Sequence, residues 1–301
     1  MKEIENIVKN LMPNQHFDCI AVGVIDFKKK EYDSLEWHGG EFVNKSGKYF
    51  FDLASLTKPL TLASSYLIDP TKFNSDMILL LNHRASLTSG GRISSKNWRD
   101  YINSFSVKES PTLYSDYSAL RAMLEIENSY KRKLYDICSE YFDEEMFHWT
   151  ELEDKLRSPV TGVRHGKKIQ GDVHDDNAYY LKEKVSHAGL FASIDGICKS
   201  LLNLDNSFDL LSFMDQAFQN ISYDRFLYGW DTVSDPSTSL SGAGCSTSTF
   251  GHLGFTGTSI WIDTKKMKGS IILTNATKSY WYDRKGLNEL RREIGKEVWA
   301  Q

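Results

Sequence analysis

The sequence predicts an α+β fold in which one antiparallel sheet is built from both ends of the chain, with helices flanking it and a mostly helical region inserted. Two segments near the N-terminus, residues 19–27 and about 31–37, are rich in β-branched and aromatic side chains and flank a lysine turn. Two similar segments near the C-terminus, residues 258–263 and 270–275, flank a short polar loop. Strands at both ends with helices between them are typical of an α+β domain.

The remaining pattern predicts how the 301 residues are divided. An amphipathic helix in residues 1–10 precedes the first strand, and another from about 284 to 299 ends the chain. We expect a single domain spanning residues 1–301, with a sheet subdomain at about 1–60 and 235–301 and a helical subdomain at about 61–234. A ligand is expected in the groove where the two subdomains meet.

Composition excludes several classes of function. The net charge is −4, so the composition does not suggest a nucleic-acid-binding protein. No apolar run approaches the roughly 20 residues needed to span a bilayer, so no membrane span is expected. The N-terminus lacks the apolar stretch and cleavage site of a signal peptide. We therefore expect a cytoplasmic protein, unless an export signal has been removed. The four cysteines have no C-x-x-C spacing and are expected to be buried free thiols.

Ser55 and Lys58 form the first candidate for chemistry, because they lie three residues apart behind an apolar lead-in. On a helix, residues at this spacing share one face and can touch. A serine hydroxyl becomes nucleophilic when a neighbour takes its proton, and a lysine can do so when it is neutral. Ser55 is the only serine in the chain followed by lysine at this spacing. One such pair is expected by chance, so the rest of the chain must decide its meaning.

Tyr114 and Asp116 form the second candidate, two residues apart after the turn at Pro111. Tyr114 can pass a proton between a nucleophile and a leaving group. Asp116 can hold Lys58 by a charge-assisted hydrogen bond. The alternative is a buried tyrosine beside an aspartate that caps a helix.

A glycine-rich segment, residues 251–258, forms the third candidate. Glycines at this density let the backbone approach a ligand closely. An amide in this segment, paired with the amide of Ser55, can stabilise a developing oxyanion. The alternative is a turn with a purely structural role.

A histidine followed by two acids, His174, Asp175 and Asp176, raises the question of a metal site. The spacings H-E-x-x-H and H-x-x-E-H are absent from the chain. One histidine beside two acids is more often a hydrogen-bonded loop. We expect neither a metal nor a cofactor.

In this order, S-x-x-K, Y-S-D and H-x-G before a strand resemble the serine-reactive penicillin-recognising enzymes. The nearest branch is the class C β-lactamase-related family, with its esterases and D-amino-acid peptidases. The G-x-S-x-G elbow of the α/β-hydrolases is absent. The resemblance implies a β-lactamase/transpeptidase-like fold. Five blocks resemble the family in its own order: residues 51–61 (FDLASLTKPLT), 79–87 (LLLNHRASL), 171–178 (GDVHDDNA), 186–191 (SHAGLF) and 251–263 (GHLGFTGTSIWID).

The resemblance also implies roles for individual residues. Ser55 is the residue that is acylated, with Lys58 assisting its deprotonation. Tyr114 takes the proton or relays it to the leaving group, and either Lys58 or Tyr114 can be the general base. The backbone amides of Ser55 and Phe255 form the oxyanion hole, and water then hydrolyses the acyl-enzyme.

Two residues depart from the class C pattern. Asp116 stands at an asparagine position, and its charge favours the protonated form of Lys58. His252 stands at a lysine position, followed by Leu253 and Gly254 in place of threonine and glycine. A histidine near its reference pKa is mostly neutral at pH 7, so a substrate carboxylate loses a cationic partner. We therefore expect poor β-lactamase activity, and activity that falls below about pH 6.5 if neutral His252 must accept a hydrogen bond from the substrate.

The leading hypothesis is a serine hydrolase that forms an acyl-enzyme on Ser55 with a small ester or amide. A cell-wall muropeptide amidase or D-peptidase is the alternative, because residues 171–178 and 186–191 resemble blocks of relatives with muropeptide amidase or peptidase activity. A non-catalytic ligand-binding or sensor domain on the same fold is the rival from another class. A binding domain has no need of a nucleophile with the proton-transfer partners Lys58 and Tyr114. The expected partner is thus a small ester, amide or muropeptide.

Overall fold

A computed structural model describes residues 1–43 and 49–301 of the chain. The strands are β1 Cys19–Asp26, β2 Glu31–His38, β3 Glu41–Phe42, β4 Phe51–Asp52, β5 Met146–His148, β6 Val160–Arg164, β7 Lys167–Gln170, β8 Leu190–Ala192, β9 Phe226–Leu227, β10 Trp230–Thr232, β11 Thr249–Leu253, β12 Ser259–Asp263 and β13 Lys268–Thr274. The α-helices are α1 Lys2–Leu11, α2 Ser64–Ile68, α3 Ser75–Leu81, α4 Trp98–Asn103, α5 Asp116–Tyr130, α6 Leu134–Cys138, α7 Asp176–Leu181, α8 Ile194–Phe208, α9 Leu210–Asn220 and α10 Lys285–Ala300.

Within the described residues, eight strands form one antiparallel sheet in the order β3-β2-β1-β13-β12-β11-β10-β9. Strand β1 from the N-terminal segment pairs along its length with β13 from the C-terminal segment. The sheet is therefore assembled from both ends of the chain. The predicted α+β class with an antiparallel sheet is confirmed.

Helices cover both faces of this sheet. Along β1, alternate side chains point to opposite faces. Ile20 and Val22 belong to the core formed with α1 and α10, whereas Ala21 and Ile25 belong to the core formed with α8. Gly23 lies where α8 approaches, because a Cβ there would be 2.4 Å from the Cys198 sulfur. Burial on both faces explains why β1 is an almost continuous apolar run.

Two details differ from the predicted boundary. Strands β9 and β10 join the main sheet, so its second part begins near residue 226 instead of 235. They have only two and three residues, too few for an alternating pattern. Strand β4 pairs instead with β8 in a separate sheet of order β4-β8-β5. The hairpin β6–β7 stands apart from both sheets.

All four cysteines are buried free thiols, which confirms the prediction for Cys19, Cys138, Cys198 and Cys245. Burial raises the pKa of the Cys138 thiol well above its usual range, as expected for an unreactive core cysteine. In residues 1–43 and 49–301, no helix combines the length and apolarity needed to cross a membrane.

Candidate active site

Ser55 lies in the first turn of a helical segment that begins directly after β4. The residue before it, Ala54, has a φ of +47°, in the left-handed region that a non-glycine residue seldom adopts. The Asp52 carboxylate supports this turn by accepting the Ala54 N–H at 2.8 Å. The segment starts with a 3₁₀ turn, Ala54–Leu56, and continues through a π-helical turn at Pro59–Ala63 into α2. Backbone strain of this kind clusters at functional sites.

Lys58 makes the contact that its spacing predicted. Its Nζ lies 3.0 Å from Ser55 Oγ and also donates to the His187 carbonyl oxygen at 3.1 Å. The third partner is the carboxylate of Asp116, at 2.7 Å. An ammonium has three N–H donors, so all three are used.

Lys58 is held as an ammonium. Burial opposes its charge, since only 2% of the side chain is exposed, but the Asp116 carboxylate and the Tyr114 hydroxyl outweigh burial and raise its pKa. This confirms the expected direction of the Asp116 effect. An ammonium donates its proton towards Ser55 Oγ and cannot accept one, so Lys58 in this state is not the general base.

Tyr114 is half-buried beside this pair, with the Lys58 Nζ 5.0 Å from its ring centroid. Its ring contacts those of His83, Phe226 and His252, at centroid distances of 4.7, 6.0 and 5.7 Å. The aspartate–lysine contact and the tyrosine are thus brought to one place, as predicted.

His83 is a residue of this site for which the sequence patterns predict no role. Its Nδ1 accepts the Ser115 N–H at 3.2 Å, and its carbonyl oxygen accepts the Leu113 N–H at 2.9 Å. His83 therefore holds the backbone on both sides of Tyr114. Burial and the nearby charge of Lys58 keep its pKa well below the usual range, so it serves as a neutral acceptor. Its only sequence signal was its place in the block at residues 79–87.

His252 is buried on β11, behind Tyr114. Its Nδ1 donates to the Leu253 carbonyl oxygen at 2.8 Å, which leaves Nε2 as the unprotonated nitrogen. Among the described residues, Nε2 has no hydrogen-bond partner. Burial and then the charge of Lys58 lower its pKa to about 4. Burial therefore places the titration of His252 below the pH of 6.5 that its reference pKa suggested, so a loss of activity just below pH 6.5 would not come from this residue.

The glycine-rich turn lies between β11 and β12 and is tied to the nucleophile segment. Thr256 Oγ1 donates to the Asp52 carbonyl oxygen at 2.7 Å, and Thr258 Oγ1 donates to the Leu53 carbonyl oxygen at 3.0 Å. A Cβ on Gly254 would lie 1.9 Å from Thr258 Oγ1, so only glycine fits there.

The Phe255 amide in this turn is available to a ligand. Within the described residues, its N–H has no hydrogen-bond acceptor, and the residue lines the same cavity as Ser55. A free amide beside the nucleophile is what an oxyanion hole requires.

The His174–Asp175–Asp176 cluster is a hydrogen-bonded loop, with protein partners for each member. The Asp175 carboxylate pairs with His187 Nε2 at 3.0 Å and caps α7 by accepting the Ala178 N–H. Asp176 pairs with the guanidinium of Arg164 at 2.7 Å, and His174 Nδ1 contacts Thr161 Oγ1 at 3.3 Å. Burial opposes ionisation of Asp175, but His187 outweighs it and the pKa of Asp175 is lowered.

Asp52 links this loop to Ser55. Its second carboxylate oxygen accepts the His174 N–H at 2.6 Å, while the first accepts the Ala54 N–H. Full burial raises the pKa of Asp52 to about 7.

A metal-ligand geometry occurs elsewhere in the described residues, at Asp18, Cys19 and His38. The Asp18 carboxylate already pairs with Lys278 at 2.6 Å and accepts from Asn275. Burial and the Asp18 charge raise the pKa of Cys19 well above the usual range, which disfavours the thiolate that a metal needs.

The nucleophile candidate Ser55 opens onto one cavity of about 630 Å³, a size suited to a small molecule. It opens between the turn after β11, the helical region and the hairpin β6–β7. Neither His252 nor Gly254 is among its lining residues. The cavity is lined by Ala54, Ser55, Tyr114, Asp116, Val163, Arg164, His165, Ile169, His174, Asp175, Asp176, His187, Ala188 and Phe255.

Two solved structures resemble the whole chain. One is a β-lactamase from Mycobacterium bovis, with a TM-score of 0.60 and 17% sequence identity over 97% of both chains. The other is a mutant of the simvastatin synthase LovD from Aspergillus terreus, with a TM-score of 0.64 and 13% identity over 99% of this chain and 94% of the other. The chain has the serine β-lactamase/transpeptidase-like fold. In this β-lactamase-like fold, the cavity lies where the sheet meets the helical region, as the sequence predicted.

Sequence comparison adds one distant relative. No protein-family model matches the chain. A segment of 157 residues is 31% identical to an N-acetylmuramyl-L-alanine amidase of Bacillus subtilis (strain 168). The match covers 48% of this chain and 36% of the amidase, so the chain spans little more than a third of that relative.

Proposed function

We propose that the protein is a serine hydrolase that forms an acyl-enzyme on Ser55 with a small ester or amide. The observation that carries this proposal is the hydrogen bond of 3.0 Å between Lys58 Nζ and Ser55 Oγ at the wall of a cavity. Tyr114, Asp116 and Phe255 line the same cavity. A binding domain needs neither a lysine buried against a serine nor a free amide beside it.

The geometry supports a sequence of proton transfers for acylation. Ser55 Oγ attacks the substrate carbonyl carbon, and the amides of Ser55 and Phe255 hold the oxyanion. Because Lys58 is an ammonium, Tyr114 is favoured as the group that takes the Ser55 proton. The Lys58 charge stabilises the phenolate form of Tyr114, which becomes a neutral phenol when it takes the Ser55 proton. Tyr114 then protonates the leaving alcohol or amine, and water reverses these steps to release the acid.

The test is hydrolysis of p-nitrophenyl acetate and butyrate by the wild type and by Ser55→Ala. We expect the variant to lose at least about a thousandfold in kcat/KM, as is usual when a nucleophile is removed. Ser94→Ala, at an exposed position, is the matched control. Intact-mass detection of a fluorophosphonate adduct in the wild type alone would support Ser55 as the nucleophile. Equal rates for the wild type and Ser55→Ala would exclude the hydrolase and favour the non-catalytic binding domain.

A second candidate is a muropeptide amidase, favoured by the similarity to the N-acetylmuramyl-L-alanine amidase. On this proposal, the cavity takes the lactyl–alanine amide of a muropeptide, and Ser55 retains the muramyl acyl group. The test is incubation with muramyl dipeptide, followed by mass spectrometry for N-acetylmuramic acid and the free dipeptide. Recovery of intact muramyl dipeptide, together with ester hydrolysis that depends on Ser55, would leave the small-ester hydrolase as the function. Release of D-alanine from a longer stem peptide would instead indicate the D-peptidase.

A further inference from the structure

Three consecutive aromatic residues are exposed in the loop between β13 and α10. Tyr280, Trp281 and Tyr282 have 48%, 57% and 68% of their surface exposed. Burial of a large aromatic side chain lowers the free energy of the protein. A run of exposed rings therefore leaves apolar surface in contact with water when no ligand is bound. Contiguous exposed apolar patches mark sites for ligands or partners.

These rings continue the wall of the cavity. Phe255, which lines the cavity and is 47% exposed, has its ring centroid 6.0 Å from that of Trp281. Trp281 contacts Tyr282 at 5.9 Å, and Tyr282 contacts Tyr280 at 6.1 Å. The four residues therefore form an aromatic strip that runs outward from the proposed oxyanion hole.

Both ends of the aromatic strip are held in place. The Arg284 guanidinium lies 5.2 Å from the Phe255 ring centroid and donates to the Phe255 carbonyl oxygen at 2.7 Å. At the other end, the His16 ring contacts Tyr280 at 4.8 Å and bonds to Asp283 at 3.1 Å. A surface that is ordered before binding loses less entropy when a ligand arrives.

The chemistry of the aromatic strip suits a sugar ring. A pyranose has apolar C–H faces that pack on aromatic rings, and hydroxyl groups at its edge that need hydrogen bonds. Tyr280 and Tyr282, which are 48% and 68% exposed, carry hydroxyl groups that can supply such hydrogen bonds. Three cations, Lys278, Arg284 and Lys285, and one anion, Asp283, flank it along the chain, and Lys278 is already paired with Asp18 at 2.6 Å.

We propose that the aromatic strip is the sugar subsite of the substrate and binds the amino-sugar ring of an N-acetylmuramyl substrate. This inference rests on the muropeptide candidate for the function. During acylation, Ser55 Oγ bonds to the lactyl carbonyl carbon, the C–N bond breaks, and the alanine amine leaves with one proton. The sugar stays on the acyl side, so the proposal requires the acyl group to extend from Ser55 past Phe255 towards Trp281.

The test measures binding in the Ser55→Ala background, so that no turnover is needed. Muramyl dipeptide and the sugar-free N-acetyl-L-alanyl-D-isoglutamine are titrated by calorimetry. We expect Trp281→Ala to raise the Kd of muramyl dipeptide about tenfold, the size of one lost ring contact, and to affect the sugar-free dipeptide far less. Trp281→Phe should restore most of the affinity. Phe42→Ala, at a ring 38% exposed in β3, is the control and should match the parent protein.

The outcomes separate the sugar subsite from the hydrolase. Equal effects of Trp281→Ala on both ligands, or no effect on either, would overturn the sugar subsite. A dimer in sedimentation velocity that Trp281→Ala dissolves would also overturn it, and would assign the aromatic strip to self-association. Failure of muramyl dipeptide to bind, with ester hydrolysis intact, would remove the subsite and leave the hydrolase. Binding of muramyl dipeptide that depends on Trp281, with no hydrolysis of any substrate, would support the sugar subsite and exclude the hydrolase.

Discussion

Replacement of Asp116 by asparagine should change the protonation state of Lys58. The two side chains meet at 2.7 Å, with 2% of Lys58 and 33% of Asp116 exposed. The amide retains the shape of the carboxylate and one acceptor oxygen, but it carries no charge. Burial then acts on Lys58 without a compensating anion, so its pKa should fall.

The size of this fall follows from the geometry. Two unit charges 2.7 Å apart attract by about 6 kcal/mol at an effective dielectric constant of about 20. Water reaches Asp116 from one side, so screening reduces the useful part to about 2–3 kcal/mol. At about 1.4 kcal/mol per unit, the pKa of Lys58 in Asp116→Asn should be lower by about 2 units.

The assay is the pH dependence of kcat/KM for p-nitrophenyl acetate, corrected for spontaneous hydrolysis. If neutral Lys58 accepts the Ser55 proton, activity rises through the pKa of Lys58, and this rise should move to lower pH in the variant. If Tyr114 is the base and needs the Lys58 charge, Asp116→Asn should instead lose activity above the lowered pKa of Lys58, because Lys58 is then neutral. Superimposable profiles would refute the reasoning, because the ion pair would then not control Lys58.

The same substitution should lower stability in a pH-dependent way. In the folded protein, the pKa of Lys58 is raised above its ordinary value of 10.5. Its contribution to stability is therefore complete below that value and is lost as pH rises through the folded-state pKa. At pH 7, urea unfolding should show a loss of about 2 kcal/mol. The control is Glu109→Gln, in an exposed pair with Arg84, where the loss should stay below about 1 kcal/mol.

Two further predictions concern the backbone around the cavity. Gly254→Ala should lower kcat for p-nitrophenyl acetate by at least about tenfold, because a Cβ 1.9 Å from Thr258 Oγ1 must displace the turn that carries the Phe255 amide. The control is Gly90→Ala, where the nearest atom would be 3.8 Å away; full activity in Gly254→Ala would contradict the oxyanion role. Burial raises the pKa of Asp52 to about 7, so the contribution of Asp52 to stability should be lost as pH rises from about 4 to 7, whereas asparagine at this position adds no such pH dependence. The unfolding free energy of Asp52→Asn minus that of the wild type should rise by roughly 4 kcal/mol from pH 4 to 7. A difference that stays constant over this range would count against the raised pKa of Asp52.

Features that depend on neighbours in the chain could be predicted from the sequence. The contact between Ser55 and Lys58 follows from helical spacing, and the structure has it at 3.0 Å. Strands β1 and β13 are long enough for their β-branched residues to identify them. The glycine-rich turn at Gly254 was recognisable because only glycine fits where two backbones approach closely.

Other features could not be predicted because their signals are weak or absent locally. The short strands β9 and β10 contain too few residues to show alternation. The left-handed conformation of Ala54 occurs at a residue that does not favour it, so composition gives no hint. His83 was present in a recognised block, but its hydrogen bond to Ser115 spans 32 residues and depends on how α3 packs beside α5.

The sequence by itself determined the fold class, the order of the candidate site residues and the side chains available for proton transfer. Only the tertiary structure decided their protonation states. Lys58 is an ammonium because the Asp116 carboxylate and the Tyr114 hydroxyl, from a distant part of the chain, meet it in a buried position. His252 is neutral down to about pH 4 because it is desolvated beside that ammonium. Spacing along the chain is a local property, whereas burial and the distance between charges exist only once distant segments have packed together.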